Sequence, residues 1–407
     1  MGKGVDSALS SYAWKRLENL EGADVLVGIS SYNNAHTINY VLYQAAKGLG
    51  TYFSSQKSVI FVSDGNSTDG TLETVKAMRL PFQVEIVPVT YPGVSGKGSA
   101  VKAIFEAARF LKVKAVALVD SDLRSISPEW IKLLISPTLT GTGLVTPFYV
   151  RHKYDGTITN FICYPVTSSL YGKKIRQPIG GDFGLSIELV RELLESPLWQ
   201  TLYTPRFGID IFETHTALAK GFEVKQAFLG TKIHEAKDPS KHLAPMFRQV
   251  VGSMFSCIEL YEKVWKEVRG SQGVEIVGEG SLSRSPEAVQ VDLKNLLDVY
   301  RSGFKKYGQI YRSILSEDLL KELEKIDNEG LLSETWAKVV YSFIGSFRKG
   351  RQFDKDGLLD ALRILWIGKV AAFVKETLEL DTAEAEELIE EETRAFEKSK
   401  PYLLDVF

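Results

Sequence analysis

Long apolar runs are absent from this chain of 407 residues. No stretch approaches the roughly 18 consecutive apolar residues that a membrane-spanning helix needs. The longest apolar segment, 364–374, is short and is interrupted by Lys369. The N-terminus also lacks an apolar secretory core. We therefore expect a cytoplasmic protein that does not contact a membrane.

Cysteine and net charge are also scarce. Cys163 and Cys257 are the only cysteines, and their spacing matches neither a metal site nor a disulfide framework, so we expect two reduced thiols in the core. The formal net charge of −2 gives no indication of a nucleic acid partner. The sequences G-x-x-x-x-G-K-[ST] and G-x-G-x-x-G are missing, so the usual fingerprints of ATPases and dehydrogenases do not apply.

Alternating strand and helix patterns occupy residues 24–120. Four apolar runs, at 25–29, 59–63, 82–89 and 115–119, are separated by stretches with helical character. Continuous apolar strands of this kind are typical of a parallel sheet that is covered on both faces. The predicted fold class is therefore α/β, with ligand-binding loops at the carboxyl ends of the strands.

The pattern becomes helical after about residue 286. Apolar side chains share one helical face at Leu296, Leu297, Tyr300, Phe304, Tyr307, Tyr311 and Ile314. Further helices are expected around 331–349, 356–378 and 381–398, and the acidic run 384–392 is interpreted as a solvated helix face. The predicted organisation is an N-terminal extension at 1–23, a catalytic domain at 24–267, a linker at 268–284 and a helical domain at 285–407.

The fourth apolar run ends in Asp120-Ser121-Asp122. Two carboxylates placed two residues apart at a strand end can both reach one divalent cation that also contacts diphosphate oxygens. A turn or a helix cap is the alternative, because D-x-D occurs often by chance. The position at the end of a strand in a nucleotide-binding pattern favours the metal site.

Two other strand-end loops carry candidate ligand groups. Asp64-Gly65-Asn66-Ser67-Thr68-Asp69-Gly70 fits a base- or ribose-binding loop, although turn and capping residues would have the same composition. Gly93-Val94-Ser95-Gly96-Lys97-Gly98 precedes a helix, where glycines and the helix N-terminus favour phosphate and Lys97 supplies a charge. A loop that is only flexible is the alternative for the second segment.

Taken in order, these motifs resemble the family 2-type GT-A glycosyltransferases. Three later segments, Gln177 to Asp182, Phe207 to Asp210 and Thr231 to His234, are similar to the retaining mannosylglycerate synthases and glucosyl-3-phosphoglycerate synthases. The resemblance covers about residues 24–255. It implies a GT-A, Rossmann-like nucleotide-diphospho-sugar transferase domain followed by a mainly helical C-terminal domain.

The resemblance also implies roles for individual residues. Asp120, Asp122 and His234 would hold a divalent metal, Mg²⁺ or Mn²⁺. Asp210 and Lys97 would be the catalytic residues, Asp210 beside the sugar. The residues expected to bind the nucleotide sugar are Ser30, Tyr32, Asn33, Asp64, Lys97, Ser121, Gly181 and Asp182, and those expected to bind the acceptor are Arg151, Thr159, Ile179 and Gly180. Taken without the resemblance, Asp210 would be interpreted as a helix cap, His234 as an ordinary histidine and Arg151 as a surface ion-pair residue.

One departure from the family pattern concerns the acceptor. Phosphoglycerate enzymes have an arginine two residues before the threonine that matches Thr159, whereas this chain has Thr157. An arginine in that position would pair with the acceptor phosphate. We therefore expect D-glycerate to be preferred over 3-phosphoglycerate, with Lys153 or Arg176 as the replacement partner if the phosphorylated acceptor is used.

The expected reaction is transfer of a hexose from a nucleotide-diphosphate sugar to the 2-hydroxyl of D-glycerate with retention, which yields a compatible solute. GDP-glucose is the favoured donor, and the resemblance also allows a homodimer. The alternatives are a mannosylglycerate synthase, a glucosyl-3-phosphoglycerate synthase, a sugar nucleotidyltransferase and a non-catalytic nucleotide-sugar-binding module. The nucleotidyltransferase would need a basic Gly-rich loop after the first strand, where this chain has Ser30 to Asn33.

Overall fold

The computed structural model describes residues 7–234, 243–279, 285–350 and 353–407. The strands are β1 (Val25–Ser31), β2 (Ser58–Asp64), β3 (Glu85–Thr90), β4 (Ala115–Asp120), β5 (Leu144–Val150), β6 (Lys173–Lys174), β7 (Phe183–Ser186), β8 (Val224–Thr231), β9 (Gln272–Gly273) and β10 (Ile276–Val277). The first helices are α1 (Ser11–Glu18), α2 (Ile38–Tyr52), α3 (Thr71–Ala77), α4 (Lys97–Leu111), α5 (Pro128–Leu139), α6 (Tyr164–Tyr171), α7 (Ile187–Leu194) and α8 (Ile209–Ala219). The later helices are α9 (Ala244–Leu260), α10 (Glu262–Trp265), α11 (Leu293–Lys306), α12 (Gly308–Ile314), α13 (Glu317–Glu324), α14 (Ile326–Glu329), α15 (Ser333–Lys349), α16 (Lys355–Glu376), α17 (Thr382–Lys398) and α18 (Lys400–Val406). A π-helical turn, Thr159–Cys163, precedes α6, and a 3₁₀ turn, Pro197–Gln200, follows α7.

Two compact units divide the chain. The sheet unit lies within Met1–Val150, Ile179–Glu235 and Val274–Pro286, and the helical unit lies within Arg151–Pro178, Ala236–Gly273 and Glu287–Phe407. This division differs from the predicted continuous domain at 24–267, because 151–178 and 236–273 cluster with the C-terminal helices. The predicted linker also differs, since it contains β9, which pairs with β6, and β10, which pairs with β8. Within the predicted linker, residues 280–284 lie outside the described part of the chain.

An eight-stranded sheet with the order β10-β8-β5-β7-β4-β1-β2-β3 forms the sheet unit. Its pairings are parallel except those of β7, which runs antiparallel to both β4 and β5. The predicted α/β class and the first four strands are therefore confirmed. The central strands β1, β2 and β4 are buried along nearly their whole length. At Gly28 an added Cβ would lie 2.4 Å from Ile104 of α4, so β1 and this helix approach closely.

Strand register brings the predicted loops to one edge of the sheet. Ser30 of β1 is paired with Asp120 of β4 on one side and with Ser63 of β2 on the other, and Ser31 is paired with Asp64. In a parallel sheet, chain segments that leave such paired positions emerge side by side. The carboxyl ends of β1, β2 and β4 therefore share one edge, as the sequence predicted.

Buried tryptophans organise the helical unit. Trp336 of α15 donates its indole N–H to the Phe161 carbonyl at 2.7 Å, and Trp366 of α16 donates to the Thr157 carbonyl at 3.3 Å. Helices α15, α16 and α17 correspond to the three helical segments predicted beyond residue 330. The apolar face predicted at 296–314 is divided between α11 and α12, because α11 ends before Tyr307 and Gly308.

The acidic face of α17 is more than a solvated surface. Glu386 pairs with Arg176, Glu390 with Lys174 at 3.2 Å, and Glu392 with Lys369 at 2.5 Å. The side chains of Lys369 and Glu392 are less than one tenth exposed. The interpretation as a solvated face holds for Glu384, Glu387 and Glu391, which are exposed. It is wrong for Glu386, Glu390 and Glu392, because these carboxylates pair with cations elsewhere in the fold. Across the described residues, no helix has the length and apolar character to cross a membrane.

Candidate active site

Asp120, the last residue of β4, lies between two lysine side chains of the sheet unit. Its Oδ1 lies 2.8 Å from Lys97 Nζ, and its Oδ2 lies 3.1 Å from Lys232 Nζ. Burial would raise the pKa of Asp120, but the two lysines outweigh burial and hold this pKa well below its usual range. Asp120 is therefore an ionised carboxylate with a cation on each oxygen.

Lys232 follows β8 and is a site residue that sequence reasoning missed. Its ammonium donates to Asp120, to Asp182 Oδ2 at 3.0 Å and to the Gly180 carbonyl at 2.8 Å, and its side chain is only 4% exposed. Asp182 Oδ2 also accepts a hydrogen bond from the Tyr149 hydroxyl, and its Oδ1 accepts one from the Asp120 backbone N–H. The available signal was a lysine just beyond an apolar strand, two residues before the candidate ligand His234.

The glycine at 181 is required by its contact with Asp120. Gly181 has φ +88°, and an added Cβ would lie 2.3 Å from Asp120 Oδ2. A side chain here would strain the backbone and displace the carboxylate. The resemblance assigned this glycine, together with Gly180, to close approach by sugar or acceptor. In the structure the approach that it permits is that of the Asp120 carboxylate.

Asp210 stands in the first turn of α8 and shares Lys97 with Asp120. Lys97 Nζ lies 3.2 Å from Asp210 Oδ1 and 3.4 Å from Oδ2. Burial raises the pKa of Asp210, while Lys97 opposes this rise. Burial also acts to lower the pKa of Lys97, but Asp120 and Asp210 hold it well above its ordinary value. The two predicted catalytic residues are therefore brought together as an ion pair.

Asp122 and His234 lie near each other beside Asp120. The Arg124 N–H donates to the Ile233 carbonyl at 2.9 Å, and the Ile233 N–H donates to Ser125 Oγ, so the segments that carry the two residues are joined. Burial raises the pKa of Asp122, the Asp120 charge raises it further, and His234 acts against both. Crowded carboxylates and an imidazole are a donor set that suits a divalent cation.

The three predicted ligands nevertheless do not form a ready-made metal cluster. Among the described residues there is no group of three or more histidine, cysteine, aspartate or glutamate side chains arranged to hold a metal. Both carboxylate oxygens of Asp120 are paired with a lysine, Oδ1 with Lys97 and Oδ2 with Lys232. The residues fit a divalent cation by their chemistry and position, provided that Asp120 exchanges a lysine contact for it. The ligand assignment therefore stays a prediction.

The loop before α4 has a different role from the one predicted for its backbone. Gly98 and Ser99 donate their N–H groups to the carbonyls of Arg206 and Pro205, at 2.9 and 2.8 Å. An added Cβ at Gly98 would lie 1.9 Å from the Thr204 carbonyl oxygen. The absence of a side chain at Gly98 therefore leaves room for the 204–206 segment, whose carbonyls accept hydrogen bonds from the first turn of the helix. Of the predicted phosphate-binding features, the Lys97 side chain remains.

The first two strand-end loops bind each other. Asp64 is fully buried, and its carboxylate accepts from Ser31 Oγ at 2.8 Å, from Ser67 Oγ at 2.7 Å and from the Ser67 N–H at 2.8 Å. Asn33, at φ +54°, donates its N–H to Ser67 and accepts from the Thr68 N–H. In this structure Asp64 and Asn33 organise the loops, and their contact with a nucleotide stays a prediction.

The other residues predicted to line the nucleotide lie around these loops. Tyr32 is 61% exposed. Ser30 is half-buried at the end of β1. Ser121 is buried and donates to Asn34 Oδ1 at 2.7 Å. Tyr32 thus offers an aromatic surface at the shared edge, whereas Ser121 is used within the loop network.

The predicted acceptor residues fall in both units. Ile179 and Gly180 belong to the sheet unit, and Arg151 and Thr159 belong to the helical unit. Within the helical unit, an added Cβ at Gly156 would lie 3.4 Å from Arg151 Nη1 and 3.8 Å from Thr159 Oγ1, so these two polar groups flank one glycine. Arg151 Nη1 also lies 3.5 Å from Asp155 Oδ2.

The cations considered as phosphate partners are engaged inside the helical unit. Lys153 donates to the carbonyls of Thr377 and Leu380, each at 2.6 Å. Arg176 pairs with Glu386, including a contact of 2.8 Å from Nη2. Thr157 is 3% exposed. The charged groups of Lys153 and Arg176 therefore already have partners, and the buried Thr157 carries no charge.

Residues 26–182 match the sequence model of the family described as Glycosyl transferase family 2. The match covers less than half of the chain. The matched stretch begins in β1 and ends at Asp182, and it contains Lys97 and Asp120. The resemblance predicted from the sequence is therefore confirmed, and so is the α/β fold class with a helical C-terminal region.

Curated relatives extend the likeness beyond this stretch. The glucosyl-3-phosphoglycerate synthase of Mycolicibacterium paratuberculosis is 30% identical over 218 residues, which is 48% of this chain and 62% of the relative. The enzyme of the same description from Mycobacterium tuberculosis strain H37Rv is 26% identical over 216 residues, 48% of this chain and 63% of the relative. The chain thus spans about three fifths of the length of these curated relatives.

Solved structures of the Mycobacterium tuberculosis enzyme are also similar. One, described as a complex with Mn²⁺, uridine-diphosphate-glucose and phosphoglyceric acid, is 24% identical with a TM-score of 0.45 and is matched over 61% of this chain and 85% of that one. Another, described as a complex with Mg²⁺ and uridine-diphosphate, is 23% identical with a TM-score of 0.46 over 62% and 85%.

Proposed function

We propose that this chain is a metal-dependent, retaining hexosyltransferase that moves glucose from a nucleotide-diphosphate sugar to a small hydroxy acid. The observation that carries the proposal is the Lys97–Asp120–Lys232 cluster at the carboxyl end of β4. Two of its members, Lys97 and Asp120, lie in the stretch that matches the glycosyl transferase family 2 model. Such an edge is where parallel sheets bind nucleotide ligands. Glucose is the proposed hexose because the curated relatives are described as glucosyl-3-phosphoglycerate synthases.

Asp120, Asp122 and His234 are the residues that would hold the divalent cation. A bound Mg²⁺ or Mn²⁺ supplies positive charge against the diphosphate of the donor. Lys97 adds a second cation to the same group, since its ammonium lies at the carboxylate that would hold the metal. Lys232 keeps Asp120 and Asp182 in place from the buried side. Together these side chains stabilise the charge that develops on the leaving diphosphate.

Asp210 is proposed to lie beside the transferred sugar. It is mostly buried, close to the cation that would contact the diphosphate, and on the first turn of α8. A carboxylate in that place can accept hydrogen bonds from sugar hydroxyls and orient the reacting carbon. Retention of anomeric configuration is part of the proposal and is read directly from the product.

D-Glycerate is the proposed acceptor, with 3-phosphoglycerate as the alternative that the curated relatives' description favours. The argument for glycerate is Thr157 at the position of the expected arginine, together with the internal partners of Lys153 and Arg176. Arg151 is proposed for the glycerate carboxylate and Thr159 for its hydroxyls, because a guanidinium binds a carboxylate through two parallel hydrogen bonds.

A grid of donors and acceptors tests the proposal. Purified chain with Mg²⁺ is given GDP-glucose, UDP-glucose, GDP-mannose or a sugar 1-phosphate with nucleoside triphosphate, each with glycerate, 3-phosphoglycerate or no acceptor. Glucosylglycerate formation supports the proposal. Pyrophosphate release from triphosphate would identify a sugar nucleotidyltransferase, and binding of nucleotide sugar without turnover would identify a non-catalytic module. GDP-glucose, favoured from the sequence, is compared directly with UDP-glucose, the donor in one of the solved complexes.

A further inference from the structure

Glu213 is a buried carboxyl group that the proposed mechanism does not use. It lies on α8, three residues after Asp210, so the two side chains share a face of the helix. Its side chain is fully buried. Neither carboxylate oxygen has a hydrogen-bond partner among the described residues. A buried polar group without a partner lowers the stability of the fold, so its presence suggests a functional role.

The proton of this pair of carboxyls belongs on Glu213. Lys97 lies 3.2 Å from Asp210, and no cation forms a comparable contact with Glu213 in the described part of the chain. Burial raises the pKa of Glu213 well above its ordinary value, the charges of Asp210 and Asp120 raise it further, and Lys97 opposes them. Glu213 is therefore a neutral acid with one O–H donor, one helical turn from an ionised aspartate.

Binding of the donor diphosphate to Lys97 would remove the ion pair of Asp210. In the structure Lys97 is shared between Asp120 and Asp210. When Lys97 turns toward a diphosphate, Asp210 loses its ion pair while it remains largely buried. A buried carboxylate without a donor is strongly destabilised. The neutral Glu213 carries a hydrogen-bond donor on the same face of α8, close enough for the charge of Asp210 to raise its pKa.

We propose that Glu213 is a positioning residue whose O–H group holds the Asp210 carboxylate while Lys97 is engaged by the donor diphosphate. This inference rests on the proposed function, because it assigns a role within the same site. It requires a neutral hydrogen-bond donor at position 213, and a negative charge there would repel both Asp210 and the diphosphate. Glutamine can therefore replace glutamate, and leucine cannot.

The test compares Glu213→Gln and Glu213→Leu by kcat, donor KM and Tm, with Gln56→Leu as control. Gln56 also has a buried oxygen without a partner, and it precedes β2 away from the cluster. Glu213→Gln is expected to keep kcat/KM for the donor within about threefold, and Glu213→Leu to lose about ten- to hundredfold in kcat/KM for the donor, as expected for loss of a hydrogen bond to a charged group in the donor-bound enzyme. Neither Glu213→Leu nor Gln56→Leu should lower Tm, since each removes an unpaired buried polar group, and Gln56→Leu should keep kcat.

A Glu213→Leu enzyme with wild-type kcat/KM for the donor would overturn the inference, because a purely structural residue would behave in that way. Equal losses in the glutamine and leucine variants would also overturn it. Failure of the wild type to transfer sugar to any acceptor in the grid would instead remove the proposed function, and the inference with it.

The pH dependence of Tm tests the neutral state without relying on activity. Between the unfolded pKa of about 4.3 and the raised folded pKa, the folded protein holds a proton that the unfolded chain has lost, so stability falls as pH rises. Glu213→Gln lacks this term, and its Tm should gain on the wild type as pH rises above about 4.3. Burial lowers the pKa of His215 to about 3, so His215 adds a slope of its own below its unfolded pKa of about 6.5, but the wild type and Glu213→Gln share this slope and it cancels in their difference. Parallel Tm curves from pH 5 to 8 would contradict a neutral Glu213.

Discussion

Lys97 Nζ lies 2.8 Å from Asp120 Oδ1 and thereby connects the helix that follows β3 to the end of β4. The same ammonium lies 3.2 Å from Asp210 on α8. One lysine therefore joins three elements of the sheet unit at the edge where a nucleotide sugar is proposed to bind. Its replacement is expected to affect donor use before anything else.

Lys97→Ala should lower kcat/KM for the donor, because it removes a positive charge next to the leaving group. The expected loss of transition-state stabilisation is roughly 2–4 kcal/mol. Lys102→Ala is the matched control, since Lys102 is on the same helix and its ammonium pairs with Glu106 at 3.7 Å. Steady-state kinetics with varied donor give the result. A Lys97→Ala enzyme within twofold of wild type would show that the loop is only structural.

Gly181→Ala should reduce transfer sharply, because the new methyl group would occupy space 2.3 Å from Asp120 Oδ2. Gly221→Ala controls for backbone strain: Gly221 has φ +75° but nothing within 4 Å of an added Cβ. Both variants should lose about 1 kcal/mol or more in unfolding free energy from the left-handed backbone. Only Gly181→Ala should lose activity, and equal activities in the two variants would argue against a catalytic Asp120.

Removal of divalent metal should abolish transfer, and added Mg²⁺ or Mn²⁺ should restore it. Asp122→Ala should lose metal-dependent nucleotide binding, measured by calorimetry, while circular dichroism shows a folded protein. Asp318→Ala, on a carboxylate that is 96% exposed in α13, should bind nucleotide normally. Full activity in excess EDTA would be incompatible with the ligand assignment.

D-Glycerate should be used better than 3-phosphoglycerate by roughly ten- to hundredfold, because a phosphate without a guanidinium partner forgoes about 1.5–3 kcal/mol. Arg151→Ala should raise KM for glycerate far more than for the donor, whereas Arg312→Ala, at an exposed residue of α12, should change neither. Thr157→Arg should shift the preference toward 3-phosphoglycerate. Since Thr157 is buried, its Tm is measured alongside. A wild type that prefers 3-phosphoglycerate would refute the acceptor assignment.

The α/β class could be predicted because the strand and helix patterns that define it are formed by residues close together in the sequence. Apolar strands with polar loops at their carboxyl ends predict a parallel sheet. The structure brings together Asp120, Lys97 and Asp210, three residues selected from the sequence, while their roles in binding and catalysis stay predictions. Their meeting was implied by the family resemblance and by the convergence of strand ends at one edge.

The remaining features depend on contacts between distant segments. Gly98 was interpreted through the phosphate that glycine-rich loops bind, whereas the structure places the Thr204 carbonyl against it. Lys232 and Glu213 carry no motif, and their importance comes from burial beside Asp120 and Asp210. The assignment of 151–178 to the helical unit could not be predicted because it depends on tryptophans from α15 and α16.

The most direct test of the central claim is the product that purified chain forms from a nucleotide-diphosphate glucose and D-glycerate with Mg²⁺, followed by proton NMR. We expect release of nucleoside diphosphate in step with formation of a glucosylglycerate. The proton signal of its anomeric carbon should show the same α configuration as the donor. A β-configured product would contradict retention. Absence of any glycoside, with the donor intact under every metal and acceptor condition, would contradict the proposed glycosyl transfer itself.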